Sequence, residues 1–349
     1  MAWKGSGFYY SRYDEPVKGQ TYTGKNQFHK VYYHKIGTTQ DKDELIYEDK
    51  IHPNYNFGTQ VTHDERFLVL YISESTSGEM LMVKDLSIAN SQFTIINGTF
   101  DYEYGVVDNI GSNLFVRTNH GAPKYKLVKI DVKKPQGENW RDVIGEKADL
   151  LESVAFCNGK ILGSYLKDVS SHLYMFAMDG TFEKEIPLPE FCKLNELNAE
   201  RAYKFFTYSV VQFTSPPKNY YYDMATGQSI EIFKPQIDFK SEDYITKQVF
   251  FESKDGTKIP MFITHKKDLV LTGNTPCFLY GYGGFNISIT PEFRIDRAVF
   301  LEAGGIYCVA NMRGGGEYGE EWHKEGTKCK KQNVFDDFIA AANYLVQNK

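Results

Sequence analysis

The sequence predicts two architectures in one chain: β-propeller blades over residues 1–237, then a doubly wound α/β portion over residues 238–349. Three observations predict this. From Gly7 to about Lys234, aromatic and β-branched residues alternate with polar ones, and Gly, Asn, Asp and Pro punctuate the turns. Within that stretch one pattern recurs, an apolar strand running into a Gly or Asp turn. It begins at Val31 (VYYHKIG), Leu81 (LMVKDLS), Lys126 (KLVKIDV), Leu173 (LYMFAMDG) and Tyr220 (YYYDMATG). The spacing is about 45–50 residues, the period of four-stranded blades. After Asp238 the order becomes strand, loop, helix, strand, loop, helix, which is α/β grammar.

A β-sandwich with accidental spacing would also explain the alternation, but it requires no common period. About five blades are therefore expected. An equal-period array closes on itself and keeps its edges short, whereas a partial wheel exposes them. Sequence before Met1 is expected on that ground. In the second portion, Ser241–Lys267 reads as two strands joined at Asp255-Gly256, a strong hairpin signal. TPCFLY (from Thr275) reads as a buried strand, ITPEFRIDRAVFLEAGG as a helix ending at Gly304, and GIYCVANMRG as a further buried strand. In NVFDDFIAAANYLVQNK the apolar positions Phe335, Phe338, Ile339, Ala342, Leu345 and Val346 follow helical spacing. Asn333 is placed to cap that helix, and Asp336 and Asp337 suit its positive end. The fourth strand of this sheet is expected to lack a neighbour and to expose an apolar edge.

Composition excludes several classes. The formal net charge is -5, which disfavours nucleic acid as a partner, because phosphate binding needs a concentrated basic face. The dense basic run Lys328-Cys329-Lys330-Lys331 reads as a solvated turn. Five scattered cysteines, at 157, 192, 277, 308 and 329, have no metal or redox spacing and fit reduced thiols in the cytoplasm. The start, MAWKGSGFYY, has no apolar signal-peptide core, so the triplets at Asn97 and Asn286 carry little weight as glycosylation sites. No run has the length of a membrane span. The eight histidines do not cluster, so no metal or other cofactor is expected.

One loop stands out. LYGYGGFNIS, from Leu279 to Ser288, carries three glycines and no charge. In α/β-hydrolases the loop after the third strand supplies part of an oxyanion hole. Tyr282, between Gly281 and Gly283, can offer its hydroxyl to a substrate oxygen, and Phe285 can form an apolar wall. The plain alternative is a tight turn with two packed aromatics.

The blocks DGTKIPMFITHKK (Asp255–Lys267), FLYGYGGFNISITP (Phe278–Pro291), VANMRGGGEYGEEWH (Val309–His323) and KQNVFDDFIAAANYL (Lys331–Leu345) resemble the prolyl oligopeptidase family of serine peptidases. The resemblance extends more weakly through the blade region. It implies about five blades of a seven-bladed β-propeller, then the first half of an α/β-hydrolase domain. It also implies an endopeptidase acting on short proline-containing peptides in the cytoplasm, as a monomer, with no cofactor, nucleic acid or membrane involved. By position, Tyr282 matches the tyrosine that helps hold the oxyanion, and Phe285 an aromatic lining the proline pocket. The Arg313–Gly319 loop and His323 match structural positions.

The mechanism needs a G-x-S-x-G elbow followed by Asp and His. Ser6 (KGSGF), Ser112 (IGSNL) and Ser164 (LGSYL) lack the second glycine. The triad is expected beyond Lys349, the chain to be an internal piece, and these residues alone to be inactive. Two other readings remain: a relative such as oligopeptidase B, which prefers basic residues, or a non-catalytic peptide-binding propeller. Phe285 and the absence of an acid in GYGGF favour proline.

Overall fold

The structure is a computed structural model that describes residues 1–16 and 18–348; Val17, and Lys349 at the end of the second expected domain, lie outside the described residues. The first twenty strands form five four-stranded sheets, each an antiparallel meander in chain order. They are β1–β4 (Ala2–Lys4, Gly7–Arg12, Lys30–Lys35, Glu44–Glu48), β5–β8 (Asn56–Val61, Phe67–Ser73, Met80–Asp85, Thr94–Asn97) and β9–β12 (Tyr104–Ile110, Asn113–Thr118, Lys126–Asp131, Arg141–Ile144). Then come β13–β16 (Leu150–Cys157, Lys160–Lys167, Ser170–Ala177, Phe182–Ile186) and β17–β20 (Cys192–Ala199, Phe205–Gln212, Ser215–Asp223, Ser229–Phe233). The five recurrences read from the sequence fall on the third strand of each sheet: β3, β7, β11, β15 and β19.

The chain divides into two compact units, one of Met1–Gly121 with Lys126–Gly145 and one of Ala122–Tyr125 with Glu146–Lys349. In the first unit, the second and third sheets share an apolar core containing Phe67, Val69, Leu81, Leu114, Val116 and Ile130. Phe67, Leu68, Val69 and Leu70 of β6 are all fully buried, so this strand is covered on both faces and its continuous apolar run has a packing cause. In the second unit, the fourth and fifth sheets pack through Leu162, Leu173, Met175, Phe206 and Tyr208.

The sixth sheet consists of β21 (Tyr244–Glu252), β22 (Lys258–Lys266), β23 (Cys277–Tyr280) and β24 (Ile306–Ala310), in the order β21-β22-β24-β23. The β21–β22 hairpin turns where the sequence placed it. Gly256 has φ +83 and its N–H donates to Ser253 O at 2.9 Å. β23 and β24 run parallel. The fourth strand is therefore interior and the third is at the edge, a reversal of the expectation. The five residues of β24 are all buried, whereas Cys277 and Phe278 of β23 are exposed.

The helices are α1 (Ile295–Glu302), α2 (Glu320–Lys324) and α3 (Gln332–Gln347). α1 ends as read, with Gly304 at φ +89 and its N–H on Leu301 O. α2 has no counterpart in the sequence reading. On α3 the expected apolar face is wrong. Phe335, Phe338, Ile339 and Val346 are exposed, and Val334, Asp337 and Ala341 are the buried positions. The rotation is set by Asp337, whose carboxylate pairs with Arg313 at 2.6 Å and must face inward, and by Ala341, which lets the backbone approach the sheet. Asn333 is not the cap; its Nδ2 donates to Glu325 O at 2.9 Å. Asp337 likewise serves the guanidinium rather than the helix dipole.

A two-residue turn of the fourth sheet packs against the α/β part of the same compact unit. Asp168 (φ +45) and Val169 (φ +64) link β14 to β15 in left-handed conformations. Val169 is fully buried in a cluster with Phe213, Tyr244, Phe262 and Tyr307. Asp168 accepts from Gln248 Nε2 at its carbonyl (2.6 Å) and from the Tyr318 hydroxyl at its carboxylate (2.9 Å).

Candidate active site

The parallel pair β23–β24 ends in two loops, residues 281–286 and 311–319. The carboxyl ends of parallel strands are where α/β sheets carry their sites. The glycines of the first loop are required by close approach. A Cβ on Gly281 would lie 2.7 Å from Met312 Cε, and one on Gly283 (φ +62) 2.4 Å from Val334 Cγ1 and 2.9 Å from Arg313 O. The second loop answers in kind, since a Cβ on Gly314 (φ +91) would lie 2.6 Å from Gly283 O. Lys331 Nζ donates to Gly283 O at 2.6 Å. The Asn286 N–H donates to Gly314 O at 3.2 Å, and His323 Nδ1 lies 2.8 Å from the same oxygen. With a proton on Nδ1, His323 ties α2 to the second loop through Gly314 O; without it, Nδ1 accepts from the Asn286 N–H of the first loop at 3.1 Å.

This clamped backbone carries two open rings. Tyr282 is 44% exposed and Phe285 66% exposed. Phe285 (φ +52) and Asn286 (φ +57) are both left-handed, an unusual state for a bulky side chain and one that marks a position held for a reason. The turn closes by Ile287 N–H to Gly284 O at 3.0 Å. Tyr282 Cε1 lies 3.7 Å from where a Cβ on Gly284 would stand, so the ring rests over that glycine.

Two buried ionisable side chains hold the second loop. Arg313, 3% exposed, bonds Asp337 through Nε (3.1 Å), Nη2 (2.6 Å) and its own backbone N–H (3.1 Å). Its Nη1 meets Asp255 at 2.5 Å and Thr257 Oγ1 at 3.2 Å. The guanidinium thus ties the β21–β22 turn to α3, and it holds the Asp255 carboxyl down at about 2. Glu317, 1% exposed, accepts from the Ile289 N–H at 2.9 Å and from Asn311 Nδ2 at 3.4 Å. Its Oε2 has no partner, and burial raises the carboxyl to about 7.

Tyr282 and Phe285 therefore sit three residues apart on one hydrogen-bonded loop, and the structural reading of Arg313 acquires named partners. Lys331 was missed. The basic run was read as a solvated turn, yet Lys331 supports the glycine loop from 48 residues away in sequence. Glu317 was also missed as a buried acid, and its only signal was its place directly after three consecutive glycines. Ser164 lies buried within β14, far from any strand-to-helix elbow.

Residues 1–235 match the family model described as "Prolyl oligopeptidase, N-terminal beta-propeller domain", and residues 291–349 match "Prolyl oligopeptidase family". The chain belongs to the prolyl oligopeptidase family. The prolyl endopeptidase of Elizabethkingia meningoseptica is 42% identical over 349 residues, covering 100% of this chain and 49% of that protein. The prolyl endopeptidase of Dictyostelium discoideum is 37% identical, covering 98% and 48%. A solved structure from a study of two prolyl endopeptidases superposes with a TM-score of 0.90 at 34% identity, over 98% of this chain and 50% of that one. Prolyl oligopeptidase B from Galerina marginata, bound to a 35mer hydrolysis and macrocyclization substrate, gives a TM-score of 0.90 at 32% identity, over 99% and 49%. The chain spans about half the length of the curated relatives it matches. The family's arrangement of propeller followed by peptidase domain accounts for the change of grammar near residue 238, and the five sheets are blades. No helix among the described residues is long and apolar enough to cross a membrane.

Proposed function

We propose that the whole protein is a serine endopeptidase that cleaves short peptides after proline, and that this chain supplies the substrate-facing half of its site. The observation that carries the reading is the clamped glycine loop with Tyr282 and Phe285 open on it, in a chain of this family. The Tyr282 hydroxyl donates to the oxygen that gains charge when the scissile carbonyl is attacked. A donor fixed in advance pays no reorganisation at that moment. Phe285 gives the proline ring an apolar wall. A serine outside these residues forms the acyl-enzyme, which water resolves. The 349 residues contain no G-x-S-x-G, so by themselves they are inactive. The free cysteines support a cytoplasmic location, and the boundary at 237/238 separates access-limiting blades from chemistry.

The test is Tyr282→Phe in the whole enzyme, assayed on a chromogenic peptide with proline before the scissile bond. We expect kcat to fall by about 10²–10³ with KM nearly unchanged. Unchanged kcat would remove Tyr282 from the mechanism. Phe285→Ala should instead raise KM for proline peptides and leave the loop's backbone in place.

A further inference from the structure

The loop that carries Tyr282 and Phe285 is anchored at two places by different groups. Upstream, Gly281 and Gly283 lie against Met312 and Val334, and Lys331 Nζ donates to Gly283 O. Downstream, two buried polar side chains meet one residue. Asn311 is fully buried and Glu317 nearly so. Asn311 Nδ2 donates to Ile289 O at 2.6 Å, and Glu317 Oε1 accepts from the Ile289 N–H at 2.9 Å. Both polar backbone groups of Ile289, a residue outside any strand or helix, are thus satisfied by side chains. Asn311 Nδ2 also lies 3.4 Å from Glu317 Oε1, which ties the two grips together. The Ile289 side chain packs beside the cluster of Phe213, Phe262 and Tyr307. Close backbone approach completes the seat. A Cβ on Gly316 would lie 2.6 Å from Asn286 O, and one on Gly315 would lie 2.8 Å from Ile287 O and overlap Glu317 Oε2. Between the two anchors stand Phe285 and Asn286, both left-handed. Two such residues in succession persist only where the surroundings fix both ends of the turn.

We propose that Asn311 and Glu317 are positioning residues for proline specificity: by gripping Ile289 they hold Phe285 in its left-handed turn, where its ring walls the slot for the substrate's proline. The inference rests on the reading that the whole enzyme cleaves after proline. Both side chains are buried, so they act through the backbone rather than on substrate. The anchors divide the work. Tyr282 belongs to the upstream one and serves the oxyanion, whereas Phe285 belongs to the downstream one and serves binding. Loss of the downstream anchor frees the wall and leaves the hydroxyl donor in place. Ground state and transition state then lose the same contact, which raises KM and spares kcat.

Glu317→Leu, Glu317→Gln and Asn311→Ser would be made in the whole enzyme. Each would be assayed on a pair of chromogenic peptides with proline or alanine before the scissile bond, with sites counted by titration with a serine-directed reagent. We expect Glu317→Leu to raise KM for the proline peptide about tenfold, with kcat per site within about threefold of the parent. KM for the alanine peptide should barely move, because alanine has no ring to set against Phe285. Asn311→Ser should act in the same direction, and it decides the matter where Glu317→Leu folds poorly. Glu317→Gln keeps an oxygen for the Ile289 N–H and should restore KM to within about twofold of the parent. A merely structural role would reduce the number of titratable sites and leave both KM values alone. That result, equal losses on the two peptides, or a Gln variant as impaired as the Leu variant would overturn the proposal. A parent enzyme with no preference for proline would instead remove the proposed activity, and this inference with it.

Discussion

At the residue scale the chain depends on a few buried charges whose partners are distant in sequence. Asp337 is fully buried and serves Arg313 through both carboxylate oxygens. Asp337→Asn would leave a guanidinium half-paired inside the protein, and about 3–5 kcal/mol of stability should be lost. Urea unfolding measures this, and a change under about 1 kcal/mol would show the pair to be dispensable. Glu317 behaves in the opposite sense. Its carboxyl is raised from an ordinary 4.5 to about 7, so between those values the folded state holds more protons than the unfolded one. Its contribution to stability is complete below about 4.5 and is lost as pH rises through about 7. Glu317→Gln should flatten the fall in stability across that window. Part of the slope will persist, because burial also raises Glu79 to about 7. A variant with the parent's full slope would assign the effect elsewhere.

At the scale of elements, the glycine loop and α3 are one device. Gly283 combines a left-handed backbone with contact to Val334 of α3, and Lys331 bonds its carbonyl from the residue before that helix. Gly283→Ala should cost at least about 2 kcal/mol, from left-handed strain and from overlap with Val334 Cγ1. Val334→Ala removes the overlap and leaves the strain, so the double variant should be more stable than the sum of single effects by about 1 kcal/mol. Strict additivity in a double-mutant cycle would mean that loop and helix do not press on each other. The blades and the hairpin were legible because period-2 alternation and turn residues are local signals. The face of α3 was not legible. Its Phe and Ile side chains outweigh its Ala and Asp in any hydrophobic periodicity, while the sheet selects the small residue and the paired acid.

At the scale of the whole molecule, two compact units share one chain. Trp3 and Trp140 belong to the first and Trp322 to the second, where its indole N–H donates to Met312 O at 3.1 Å. A chain with Trp3→Phe and Trp140→Phe reports unfolding of the second unit alone, and Trp322→Phe reports the first. We expect different denaturation midpoints and a calorimetric enthalpy unequal to the van't Hoff value. Superimposable curves with equal enthalpies would make the chain a single cooperative block.

The sequence by itself determined the two-part architecture, the five repeats, the Asp255-Gly256 hairpin, the family and the loop that carries Tyr282 and Phe285. Each of these is written in neighbouring residues or in a short run of special chemistry. Tertiary structure alone decided that β24 is interior and β23 the edge, that Arg313 joins Asp255 to Asp337, that Lys331 holds Gly283, and that Asn311 and Glu317 meet Ile289. These pairings join positions 22 to 58 residues apart. Such contacts arise from strand order and helix rotation, which depend on the packing of the whole unit rather than on any local run of residues.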